Sequence, residues 1–294
     1  MSIKKTIQNI LSQEDLNFLL TNRIPRNTLT RLIGWFSQIE NPIVAFISIK
    51  VWKFFSALDL SEAKSQHFIS MHACFTRELK PNARPINQNP NYLVSPCDAL
   101  IGAFGQVRNG EIFQAKGFPY ALNDLIPNPS LAKLHEGCEY VTLRLTSSMY
   151  HRFHAPAAMR IKKVTYISGD TWNVNPIALK RVERLFCKNE RAVIECEINQ
   201  SANGLNNATL TLVPVAAILV ASIRLHCISP LLHLRYQGTN EIDCDATVKR
   251  GEELGWFQHG STIIVFAPKN YRLLSSIRLG DNIRMGEALF EYSE

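Results

Sequence analysis

Apolar runs long enough to cross a bilayer, paired cysteine motifs and linker tracts are missing from this 294-residue chain, and each absence excludes something. The uncharged stretch Pro42 to Ile49 is far shorter than the roughly 20 apolar residues a bilayer crossing needs, so no spanning helix is expected. Cysteines at 74, 97, 138, 187, 196, 227 and 244 include no C-x-x-C pair, and an odd count cannot all pair within one chain. They argue for a reducing compartment and against a zinc site. No Gly/Ser-rich or Pro-rich tract is long enough to act as a linker. The G-x-S-x-G elbow of one large hydrolase class is also absent. The N-terminus is basic at first, but Glu14 and Asp15 break its apolar run and no small-residue cleavage site follows, so no secretion signal is expected.

What is present suits a globular protein with an anionic partner. A hydrophobic content of 46% is enough for a core without staples. A formal charge of +7 favours nucleic acid or an acidic membrane leaflet, and charge alone does not choose between them. Residues 1 to roughly 80 read as helical, with starts at Ser12 with Asp15, at Asn27 or Thr28, at Asn41 before Pro42, and at Ser61 with Glu62. From about residue 90 the pattern is extended: YVTLRLT at 140–146, AVIECEI at 192–198, ATLTLVPVAAILVASIRL at 208–225 and TIIVFAP at 262–268. The expected fold class is α+β, with a helical region over 1–80 and a β-rich body over 81–294 resembling a small barrel or sandwich.

One helix is unusually apolar. In NPIVAFISIKVWKFFSALDL, Ile43, Phe46, Ile47, Val51, Phe54 and Phe55 leave a narrow polar face charged only by Lys50 and Lys53. With Trp35, Phe36, Trp52 and Arg31 nearby, it fits a membrane interface or the protein's own core equally well.

Three further stretches carry titratable or nucleophilic groups. WFQHGSTIIVFAP places Ser261 between a glycine and a strand, which by default is a turn. An activated serine needs a base and a group that orients that base. YHRFHAP supplies His151 and His154 after a strand; on extended chain they face opposite sides, on a helical turn the same side. VSPCDAL supplies Asp98 at a strand start, beside a Cys97 with no local reason for a depressed thiol pKa.

Seven stretches in order, FTRELKPNARPI, SPCDA, QAKGFPYALNDLI, YHRFHAP, LFCKNERAV, VPVAAILVASI and ELGWFQHGSTIIVFAP, resemble the bacterial phosphatidylserine decarboxylase proenzymes. The resemblance implies self-cleavage between Gly260 and Ser261, giving chains of residues 1–260 and 261–294 that stay together as a heterodimer. It implies that Ser261 becomes a pyruvoyl group, which holds phosphatidylserine as a Schiff base while carbon dioxide leaves and phosphatidylethanolamine forms. Matched position by position, it assigns a self-cleavage triad to Asp98, His154 and Ser261, and proton transfer during decarboxylation to His151. It also implies peripheral attachment to an anionic membrane surface, on the cytoplasmic side of a bacterial inner membrane, with no nucleic-acid partner. Self-association of the heterodimer is left open. His259, where the family more often has leucine, reads as a filler rather than an alternative base. The alternatives are a serine hydrolase using Asp98, His154 and Ser261, and a non-catalytic protein that binds anionic lipid.

Overall fold

Three helices begin at an Asn-Pro step: Pro42–Phe55, Pro129–Leu134 and Pro176–Arg181. In each the asparagine side chain accepts from backbone N–H groups of the first turn, and proline fills a position whose N–H would be idle. The computed structural model of the chain describes residues 13–22, 25–114, 118–198, 208–218, 222–233, 236–258 and 261–293.

The N-terminal region is less helical than its composition suggests. Helices span Glu14–Asn22, Arg26–Ser37, Pro42–Phe55 and Met71–Phe75. The expected start at Ser12 lies outside the described residues. The second helix starts at Arg26 behind Pro25, so Asn27 and Thr28 fall inside it. Ser61 starts no helix, because Asp59 captures both its N–H at 2.8 Å and its hydroxyl at 2.9 Å and holds a turn.

Among the described residues the β-rich body does not close into a barrel; two sheets pack face to face, the sandwich alternative of the expectation. Among the described residues, an eight-stranded sheet runs in the order Glu241–Val248, Met159–Ile167, Arg191–Ile198, Ala208–Ala216, Ser261–Phe266, Glu139–Leu145, Ala99–Gln106, Asn282–Ile283. Every neighbouring pair is antiparallel, and the two outer strands do not meet. On one face Leu143, Leu145, Ile194, Leu212, Ile263 and Val265 pack with Phe153, Ile223, Leu254 and Phe257. The latter come from a four-stranded sheet in the order Leu232–His233, Ser222–Leu225, Glu253–Phe257, Arg152–His154. On the other face Tyr140, Val193, Val213, Ile264 and Phe266 pack with Leu122, Leu125, Leu131 and Phe186 of short helices. Ser261–Phe266 is therefore covered on both faces and buried at every residue, as its unbroken apolar run requires.

The Pro42–Phe55 helix is not absorbed into either core. Ala45 is its one buried residue, and Ile43, Phe46 and Ile47 are 68%, 65% and 55% exposed. Trp52 anchors it by stacking on Phe75, with ring centroids 5.6 Å apart. Among the described residues no helix is long and apolar enough to cross a membrane.

Candidate active site

Ser261 is the first residue of the sheet's central strand, opposite Leu145 on one side and Ala216 on the other. It is completely buried, and its Oγ has no hydrogen-bond partner among the described residues. Strand alternation puts Ser261 on the face of Ile263 and Val265, toward the four-stranded sheet. Gly260 and His259 lie outside the described residues.

His154 ends the strand Arg152–His154 and is 8% exposed. Its Nδ1 lies 2.9 Å from the Gly251 carbonyl oxygen, which can only accept, so Nδ1 carries the proton. Nε2 is then the bare nitrogen of the neutral ring and accepts from the Tyr150 hydroxyl at 3.0 Å. Burial pushes the His154 pKa below its usual value, against the smaller opposing effect of the Gly251 bond. Gly251 has φ +75°, and a Cβ there would lie 2.1 Å from Ile86 Cδ1. Only glycine presents the carbonyl to His154 in this way. His151 is fully buried, with Nδ1 2.8 Å from the Met149 carbonyl oxygen and its ring 3.9 Å from the Phe75 ring.

Asp98 precedes the strand Ala99–Gln106 and is 8% exposed. Its carboxylate accepts from Arg84 Nε at 2.8 Å, from a second Arg84 nitrogen at 2.5 Å and from the Met285 N–H at 2.9 Å. Both oxygens of this nearly buried carboxylate are thus met by donors, one of them charged. Among the described residues no hydrogen bond joins Asp98 to His154, or His154 to Ser261. Asp98 and His154 are neighbours through the backbone, since the His154 N–H donates to the Pro96 carbonyl at 2.8 Å, and the Asp98 charge acts on the imidazole. A cleft of about 410 Å³ opens over Asp98, lined by Arg77, Arg84, Tyr150 and Arg284. Beside it, Cys97 is fully buried and its thiol pKa is pushed well up, so it is no nucleophile.

Asp98, His151, His154 and Ser261 were the candidates from the sequence; the charged groups packed around them, Arg84 on Asp98 above all, were not named there. Arg84 and Arg77 sit in FTRELKPNARPI and Glu190 in LFCKNERAV, stretches read only as landmarks. Both stretches carry several charges, so nothing in the sequence marked out which of them would be buried.

The sequence model described as phosphatidylserine decarboxylase matches residues 71–291. The chain is similar to the phosphatidylserine decarboxylase proenzyme of Haemophilus influenzae, with 33% identity over 274 residues, covering 90% of this chain and 92% of that protein. The proenzyme of the same name from Pasteurella multocida is 33% identical over 273 residues, covering 90% and 91%. That of Saccharophagus degradans is 31% identical over 291 residues, covering 95% and 98%.

Proposed function

The chain belongs to the phosphatidylserine decarboxylase family, and we propose that it is a self-processing proenzyme that converts phosphatidylserine to phosphatidylethanolamine. The observation that carries this reading is Ser261, buried at the head of the central strand with its oxygen bonded to no described residue. A buried hydroxyl without a partner is destabilising in a finished protein. In a chain that consumes that hydroxyl, its departure orphans nothing. The position therefore suits a pyruvoyl group, which supplies, once formed, a ketone that takes up the electron pair left when carbon dioxide departs.

In the precursor, Ser261 Oγ attacks the Gly260 carbonyl carbon, the amide becomes an ester, and elimination releases residues 1–260. His154 takes the Oγ proton: its Nδ1 proton is committed to Gly251, which leaves Nε2 as the basic atom, and burial keeps the ring neutral. The Tyr150 hydroxyl, now on Nε2, has to yield that lone pair to Ser261. Asp98 stabilises the imidazolium through space, while Arg84 and the Met285 N–H fix its carboxylate. His151, three residues away on extended chain, faces the other side and serves proton transfer in the decarboxylation itself. Residues 81–294 form the catalytic body. Residues 1–80 bring it to an anionic membrane surface, with the exposed apolar side of the Pro42–Phe55 helix in the interface and Lys50 and Lys53 near headgroups. A serine hydrolase reading is disfavoured by the absence of a G-x-S-x-G elbow around Ser261, which sits in HGSTI.

Intact mass of the purified protein tests this. The expected result is two pieces, residues 1–260 and 261–294, the smaller one lacking a free amine and reacting with hydroxylamine at a carbonyl. Ser261→Ala should give one uncut chain. A wild-type chain that stays whole, or a small piece beginning with ordinary serine, overturns the proposal.

A further inference from the structure

Glu190 is a buried carboxyl that the proposed triad does not use. It is 0% exposed, and neither carboxyl oxygen has a hydrogen-bond partner among the described residues. The Ala216 N–H donates to the Glu190 carbonyl at 2.8 Å, and Ala216 pairs in turn with Ser261. Alternation along Arg191–Ile198 puts Glu190 on the face of Ala192 and Ile194, which is the face of Ala216, Ile263 and Ser261. Glu190, Ala216 and Ser261 thus form one row across three strands. Two strand spacings make about 10 Å, and an extended glutamate side chain covers about half of that. The residue between is alanine, too small to block the approach.

Burial leaves Glu190 neutral. Arg191, next in the chain, faces away toward the carbonyls of Asp124, Leu125 and Cys187. Asp170, whose carbonyl accepts the Glu190 N–H, sends its carboxylate to Arg26. Tyr166, on the adjoining strand, faces Glu190 but donates its proton to the His233 carbonyl at 2.9 Å. Among the described residues no cation faces it, and burial pushes the carboxyl pKa up to about 8 against the smaller opposing effect of the Tyr166 hydroxyl.

We propose that Glu190, as a neutral acid, donates a hydrogen bond to the Ser261 oxygen while that oxygen leaves Cβ, the step that releases residues 1–260. This rests on the self-processing reading above. In the ester, a base removes the Ser261 Cα proton and the C–H pair becomes the Cα=Cβ bond. The Cβ–Oγ bond breaks, its pair stays on the oxygen, and that oxygen becomes part of the Gly260 carboxylate. A carboxylate forming in a buried site needs a donor aimed at it in advance, and Glu190 is the donor on the Oγ face. Above its pKa Glu190 is an anion and repels the same charge.

The test is a time course of self-cleavage by the full chain, freshly synthesised in a cell-free system and followed by intact mass between pH 6 and 9.5. Wild-type cleavage should slow above about pH 8. Glu190→Met keeps the volume, removes the donor and should slow cleavage on the order of a hundredfold, the effect of deleting one such donor. Its uncut chain should then be an ester, split by hydroxylamine into residues 1–260 and a piece beginning with ordinary serine. Glu190→Gln should recover part of that rate and lose the alkaline fall. Wild-type speed in Glu190→Met overturns the inference, as does an alkaline limb shared by wild type and Glu190→Gln, which needs no folded Glu190→Met. A wild-type chain that never cleaves overturns the underlying reading instead.

Discussion

At the scale of single residues, the most consequential contact is the one between Asp98 and Arg84. It is a buried pair in which three donors converge on one carboxylate. Removing one partner of such a pair leaves an uncompensated charge and costs about 3–5 kcal/mol. Arg84→Met should therefore lower the unfolding free energy by that amount in urea titrations made on the uncut Ser261→Ala background. The double change Arg84→Met with Asp98→Leu should recover most of it. If the single change is neutral, Asp98 is not held as described. The sequence made Asp98 legible through its place at a strand start. It could not show that its partner lies 14 residues upstream, because ion pairing across a turn leaves no periodic trace. His154 was legible as a candidate base, whereas its tautomer depended on a glycine carbonyl 97 residues away.

Whole elements were read more securely, and where they were misread the cause is local. Glu139–Leu145, Arg191–Ile198 and Ser261–Phe266 follow directly from alternation or unbroken apolar runs. Asn41 with Pro42 starts a helix, as Asn-Pro chemistry demands, but Ser61 with Glu62 does not, since Asp59 ties up the Ser61 hydroxyl that would cap the helix and holds a turn. Closure of the sheet was not legible, because strand alternation is the same in an open sheet and a barrel. The Pro42–Phe55 helix yields its own test. Phe46→Glu with Ile47→Glu alters side chains more than half exposed. This change should cut co-sedimentation with vesicles containing phosphatidylserine at least tenfold, leaving self-cleavage and thermal midpoint as in wild type. Undiminished vesicle binding would remove this helix from the membrane-facing surface, and a collapsed midpoint would show that it belongs to the core.

For the molecule as a whole, the proposed cut falls at the head of an inner strand, Ser261–Phe266. Ser261–Phe266 is hydrogen-bonded along both edges to strands from residues 1–260, and Ala288–Tyr292 pairs with Tyr92–Val94. Before cleavage these ladders are made within one chain, and unfolding is a unimolecular event. After cleavage the same ladders are a binding interface between two polypeptides. Unfolding then releases two species, and its midpoint obeys mass action. The urea midpoint of the processed protein should rise with protein concentration, while that of Ser261→Ala should not move. On the proposed processing, one covalent bond at the head of a central strand sets the molecularity of the folding reaction: the precursor can refold at any dilution, and the cut protein, once taken apart, has to find its other half.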